Sequence, residues 1–441
     1  MGKKLFKLVI IILMIFGIIQ GLIITAKRLF PDISLKKVEE NIVSKMQKNN
    51  AELLELYTYG RSLNLKGRLS GVSDDNIESV KLYLTDGLEY ERTYSLEYKV
   101  EDHKLIFETR TEINNGLILD KLEEGKQYYL LLRLKLNNSI NARYFSFDNT
   151  GNCEEINYYS ISKLDENDKL VSVKFIEKNI NSNNFKFVLL SAEKTELPEE
   201  VYDIVIDAGH GGKDSGVKKG SYTEAGLALD YANSLKEKLE NEGFKVKLTR
   251  DEENNDSFTS TNMYDENGRI SIACKTKAKL MISLHVNNGA NNLSGFEIYC
   301  PPNSNLNLAK KMAEDIKEKS AIDYSNGNNY KESDGVYVRN YKKSEISDMK
   351  KTAEKNGYEP YDISENTSYL YTIREVGSFG TGAYVDGRNK AYSKNEYYRS
   401  QYGIECYQIE LGYIKNDLDI LINEKDLILE GITKAVTEFY N

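Results

Sequence analysis

Tryptophan is absent from the 441 residues, only three histidines occur, and the four cysteines form no CxxC pair or finger-like spacing. Each shortage excludes something. Cys153, Cys274, Cys300 and Cys406 do not read as a structural zinc knot. Cys274 falls in a predicted helix, and Cys300 and Cys406 end or lie within apolar strands, so they read as buried free thiols that pack as small hydrophobes. Basic runs are missing too, and the net charge of −9 argues against a nucleic-acid binder. Hydrophobic content of 40% and charged content of 29% are ordinary for globular material. The length exceeds one core and points to about three domains.

What is present begins with an apolar N-terminus. Residues 8–26 are 19 uncharged residues in a row, preceded by Lys3, Lys4 and Lys7 and followed by Lys27 and Arg28. At roughly 1.5 Å per residue the run just crosses a hydrocarbon core of about 30 Å. It is longer than a usual signal-peptide core and has no A-x-A cleavage site, so 1–30 is expected to be an uncleaved transmembrane signal anchor. The rest of the chain is then expected on the cell-wall side of the membrane. Residues 31–60 carry Val38, Ile42, Met46, Leu53, Leu54 and Leu56 at near-helical spacing, which predicts a helical stalk.

From 61 to 197 short alternating runs such as SVKLYLTD, KLIFETR and QYYLLLRLKL are bounded by Asn, Asp, Gly or Glu clusters. That rhythm predicts an all-β sandwich, although no Cys…Trp…Cys signature makes it a true immunoglobulin domain. His103 lies there in a charged EDHK turn and reads as a solvated loop residue. From 200 to 441 strands alternate with helices. VYDIVID, FKVKLT, KLMISLHV, GFEIYC and IECYQIEL are separated by helical stretches, which predicts an α/β fold: a mostly parallel sheet with helices on both faces.

The two remaining histidines sit at strand ends. His210 follows VYDIVIDAG, His285 ends LMISLH, and Glu410 ends IECYQIE. Residues leaving the carboxyl ends of parallel strands share one crevice. Glu224 opens the helix after the first strand, where a carboxylate suits the helix dipole, and the Gly-rich segment GGKDSGVKKGSY lets the backbone fold back. Two imidazoles and a carboxylate, with one position open for water, form a hydrolytic Zn2+ arrangement. Glu410 is placed to move protons as general base.

From about residue 201 to 440 the chain resembles the zinc-dependent N-acetylmuramoyl-L-alanine amidases of the amidase-3 type. The resemblance rests on DAGHGGKDSG, Glu224, KVKLTRD, NGRISIACKTKAKLMISLHVN, SGFEIY and IELGYIKNDLD, in that order. It implies zinc held by His210, Glu224 and His285, Glu410 as catalytic base, and peptidoglycan as the substrate, cut between N-acetylmuramic acid and L-alanine. Arg269 matches a family arginine, and a structural ion pair is expected there. The chain departs from the pattern at Ala208, where proline is usual, at Val286, where a small residue is usual, and in a long insertion, 340–403. The Tyr- and Gly-rich block 369–389 is expected to be a groove wall or lid, against the plainer reading of a surface decoration. Two other functions fit the same residues: a non-catalytic peptidoglycan-binding scaffold, and a zinc peptidase or deacetylase acting on another wall amide.

Overall fold

The computed structural model describes residues 40–441 except 41, 74–75, 110–115, 152, 162–167, 181–182, 253–267, 302–305, 328, 356, 358–363 and 378–400. The apolar run 8–26, most of the expected stalk and the latter part of the block 369–389 lie outside the described residues. Among the described residues no helix is long and apolar enough to cross a membrane.

Two seven-stranded sheets form the first half of the structure. One is built around Ala51–Tyr59 and Ser62–Ser70; the other runs through Lys169–Ile180, Asn183–Lys194, Gln127–Leu136 and Ile77–Thr85. Alternating apolar residues from both sheets, among them Leu53, Leu65, Leu105, Leu82, Leu130 and Val171, meet in one core. Each such buried side chain contributes about 1.5–3 kcal/mol of transfer free energy. Here the helical stalk expected over 31–60 is corrected. Ala51–Tyr59 is a strand, paired antiparallel with Ser62–Ser70, with a bulge between Leu53 and Glu55. The bulge inserts an extra residue and breaks the period of two, so Leu53, Leu54 and Leu56 mimic helical spacing. The sandwich therefore starts at Ala51. Helical backbone occurs just before it, at 42–45, where Ile42 packs on Tyr83, Tyr129, Leu131 and Phe187. His103 is exposed in a hairpin turn, as its charged neighbours imply.

The second half is α/β. We number its elements β1 (Ile204–Ala208), α1 (Glu224–Asn241), β2 (Val246–Leu248), α2 (Arg269–Lys275), β3 (Leu280–Asn287), β4 (Glu297–Tyr299), α3 (Asn307–Lys319), β5 (Lys331–Ser333), β6 (Val336–Tyr337), α4 (Lys343–Lys355), α5 (Tyr371–Glu375), β7 (Tyr402–Gly403), β8 (Glu405–Tyr413), α6 (Leu418–Asn423) and α7 (Lys425–Tyr440). The sheet order is β2-β1-β3-β8-β4-β6-β5. Its first four strands are mutually parallel; β4 is antiparallel to β8 and β5 to β6. Strands buried on both faces need apolar residues at every position, which is why IVI and LMISL show no alternation. Helices α1, α3 and α7 cover one face through residues such as Leu227, Tyr231, Met312, Ile316 and Ile432. The other face carries α2 and α5, with Ile270, Ala273, Ile373 and Val376 over Val205, Met281 and Cys406. All four cysteines are free and buried, in agreement with the sequence.

The two halves share hydrogen bonds. Strand β7, from the insertion 340–403, pairs in parallel with the end of Ala51–Tyr59 and leads through Ile404 into β8. Arg61 Nε contacts Asp120 Oδ2 at 2.7 Å, and its Nη1 donates to the Phe439 carbonyl in α7 at 2.5 Å. Tyr158 donates to the other Asp120 oxygen at 2.8 Å.

Candidate metal centre and active site

Strands β1, β3 and β8 end side by side, with Leu284 opposite Ala208 and His285 opposite Glu410. Beyond β1 the chain turns sharply. Gly209 lies so close to the imidazole of His285 that a Cβ there would come within 2.5 Å of its Cε1. His210 then adopts a left-handed backbone at φ 59°, uncommon for a residue with a side chain. Its carbonyl is gripped from two sides, by Arg250 Nε at 3.1 Å and Arg269 Nη2 at 2.7 Å. Arg250 also binds the carbonyls of Ala208, Gly209 and Ala225. Both arginines are fully buried, so the strained turn is over-determined by its surroundings. Burial lowers the Arg250 guanidinium to about 10, which still leaves it charged at neutral pH.

Asp207 anchors Arg269. Both of its oxygens accept from Arg269 Nη1 at 2.8 Å, and the hydroxyls of Thr249 and Ser283 donate to it. Burial alone raises this carboxyl, but Arg269 together with the Thr249 and Ser283 hydroxyls outweighs that and holds it below the usual carboxylate range. The structural ion pair expected for Arg269 is thus present, with Asp207 as its partner.

Helix α1 brings Glu224 in. Thr223 caps the helix, accepting from the Gly226 N–H at 3.1 Å, and Glu224 occupies the first turn. Gly216 (φ 59°) lets the preceding loop pass against the carboxylate; a Cβ there would lie 2.5 Å from Glu224 Oε2. Glu224 Oε1 stands 3.0 Å from His210 Nε2 and 3.1 Å from His285 Nδ1, and also accepts from the Val286 N–H. Oε2 accepts from the Val217 N–H. Burial raises the Glu224 carboxyl, but the two imidazoles facing it hold it well below its ordinary value. Burial lowers His210, yet Glu224 and Asp214 outweigh this and push it up to about 9.

These three residues meet the requirements of a metal. They offer ligand atoms within 4.8 Å of one another. Among the described residues, none offers a hydrogen bond to the buried His285 Nε2. Two imidazole nitrogens and one carboxylate oxygen are a donor set that zinc favours. Sequence reading missed Asp214, whose Oδ2 lies 2.9 Å from His210 Nδ1 and whose Oδ1 accepts from the Gly216 N–H at 3.0 Å. Its only signal was an acidic residue four places after His210 in a glycine-rich loop. Arg250 was visible only as part of the KLTRD string.

Glu410 stands apart from that cluster, one strand over from His285. Its carboxylate lies deep in the cleft but keeps some exposure, and Gln408 Nε2 donates to its Oε1 at 3.0 Å. Burial raises its carboxyl; the charge on His285 opposes this and that on Glu224 adds to it, with a net shift upward. The neighbouring Glu297 is committed elsewhere, accepting from Tyr299, Ser325, Tyr413 and Asn287.

The profile of the amidase-3 family, the N-acetylmuramoyl-L-alanine amidases, matches residues 204–438, over half of the chain. The chain belongs to that family. The chain shares 30% identity over 122 residues with the uncharacterized protein YqiI of Bacillus subtilis, covering 28% of this chain and 55% of that one. It shares 30% over 141 residues with the N-acetylmuramoyl-L-alanine amidase LytC of the same organism, covering 32% of this chain and 27% of LytC. It therefore spans 55% and 27% of the lengths of these two relatives. Among solved structures, the amidase AmiC2 of Nostoc punctiforme aligns at 20% identity over 55% of this chain and 98% of that one, with a TM-score of 0.35.

Proposed function

We propose that this amidase hydrolyses the bond between N-acetylmuramic acid and the L-alanine of peptidoglycan stem peptides, from the outer face of a membrane in which residues 8–26 anchor it. The observation that carries the reading is the convergence of His210, Glu224 and His285 on one point, with an uncoordinated carboxylate, Glu410, on the adjoining strand. His210, Glu224 and His285 would hold zinc, which supplies Lewis-acid polarisation of a carbonyl and a more acidic water. Glu410 takes the proton of the attacking water and delivers it to the leaving nitrogen. Asp214 fixes the His210 tautomer by accepting from Nδ1, so that Nε2 presents its lone pair to the ligand cluster. Arg250 and Arg269 keep the His210 turn closed while the ligand carbonyls stay paired.

The test is a product assay on purified cell wall with mass spectrometry of what is released. Free stem peptides with an L-alanine amino terminus are expected. Release of a different fragment would move the reading to another wall amide, and no release from zinc-loaded protein would favour a scaffold. Glu410→Gln should keep its zinc and lose about a hundredfold or more in turnover. Glu224→Ala should instead weaken zinc binding. An exchange of those two phenotypes would exchange the roles.

A further inference from the structure

The block 369–389 of the insertion is expected from sequence to be a groove wall or lid, or else a surface decoration; its described part packs on the sheet. Helix α5 lies on the same face of the sheet as Glu410, where Ile373 and Val376 join the apolar cluster around Met281 and Cys406. Arg374 fastens it by donating to the carbonyls of Ser368 and Tyr369 and to the Tyr341 hydroxyl. Thr372 is fully buried, and its hydroxyl lies 3.2 Å from Gln408 Oε1. Gln408 sits two residues before Glu410, so both side chains emerge on one face of β8.

We propose that Gln408 is a positioning residue for Glu410, and that Thr372 sets the direction of the Gln408 amide. The inference rests on the reading of Glu410 as general base. An ionised carboxylate only accepts, so the Gln408 NH2 must face Glu410 and its carbonyl must face Thr372. The Thr372 hydroxyl consequently donates to Gln408. Hydrogen bonds thus run one way, from Thr372 through Gln408 to the base. One oxygen of Glu410 accepts from Gln408, and among the described residues none donates to the other.

The orientation matters because a carboxylate on a partly open strand end otherwise rotates among several positions. A displacement of about 1 Å at a reacting group lowers rate by about a hundredfold. Holding the base affects the chemical step and leaves substrate affinity alone.

The experiment uses the full-length zinc-loaded protein and purified muropeptides, with kcat and KM measured separately, bound zinc counted, and the melting midpoint recorded. Gln408→Leu is expected to lower kcat by about 10–100-fold, with KM within about twofold and zinc unchanged. Thr372→Val, which keeps volume and loses the hydroxyl, is expected to lower kcat by a smaller factor, and Thr372→Ser to restore it. In a Glu410→Gln background, Gln408→Leu should have no further effect, because the two act as one unit. Wild-type kcat in Gln408→Leu would overturn the proposal. So would a Thr372→Ser variant no better than Thr372→Val, a loss that appears in KM, or full additivity with Glu410→Gln. If instead Glu410→Gln itself turns over normally, the general-base reading fails first, and the two failures are separable.

Discussion

Replacing Asp214 by asparagine tests how the metal centre is tuned, because the substitution changes one oxygen and almost no volume. Asp214 accepts two N–H groups, from His210 Nδ1 at 2.9 Å and from Gly216 at 3.0 Å. Asparagine has one acceptor oxygen and an NH2 group, so it satisfies only one of them. With the NH2 toward His210, the ring proton must leave Nδ1 for Nε2, the nitrogen 3.0 Å from Glu224 that faces the ligand cluster. The lone pair needed by a metal is then blocked. With the oxygen toward His210, the Gly216 N–H meets a donor, and the loop that shields Glu224 loosens. Loss of such an orienting partner lowers metal affinity by about 10–100-fold, or about 1.4–2.7 kcal/mol. Asp214 is 42% exposed, so water compensates in part and the lower end, about tenfold, is expected. The assay is zinc competition against a chelating dye at fixed pH, with Glu410→Gln as a control that leaves affinity unchanged. Zinc affinity within about twofold of wild type in Asp214→Asn would refute the reasoning.

Four further outcomes are expected. In metal-free protein His210 titrates near 9, so a proton competes with zinc below that pH, and affinity should fall by about tenfold per unit as pH is lowered from 9 to 7 in a competition titration. The sign reverses for the metal-free fold: a raised histidine stabilises it fully below the unfolded value of 6.5, and that contribution is lost as pH rises through 9, visible in the melting midpoint. Arg269→Leu leaves Asp207 buried and unpaired, and should destabilise the α/β half by about 3–5 kcal/mol in denaturant unfolding. Arg61→Ala strands Asp120 at the junction between the halves, so calorimetry should show two transitions move apart, with a loss of about 3 kcal/mol in the coupled one.

The α/β half was legible because its signals are long. The continuous apolar runs of β1, β3 and β8 place His210, His285 and Glu410 toward the carboxyl ends of the strands, although β3 and β8 run on to Asn287 and Tyr413, and Thr223–Glu224 marks a helix start. The residues that tune the site were not legible, for separate reasons. Asp214 sits in a loop with no periodicity. Thr372 and Gln408 meet across 36 residues of sequence, and α5 is too short, at five residues, to show a helical period. Ala51–Tyr59 was misread because a bulge between Leu53 and Glu55 imitates helical spacing. Within the insertion, Ile373 and Val376 are core residues in a segment otherwise rich in polar side chains, so their burial left no period to read.

The pairing of β7 with the end of Ala51–Tyr59 bears on how this chain can be taken apart or recombined. Thr58 donates to Gln401 and Gly60 to Gly403, only a few residues before the strand that holds Glu410 begins. The sandwich is thus not a bead on a string that could be exchanged for another spacer of equal length. A fragment cut at the Glu-rich joint near residue 197 keeps His210, Glu224 and His285, yet it discards the backbone partners of Tyr402 and Gly403 and the Arg61 that holds Phe439. Exchanging the sandwich for another domain would therefore require Arg61, Asp120, Tyr158 and Tyr402 to be replaced together.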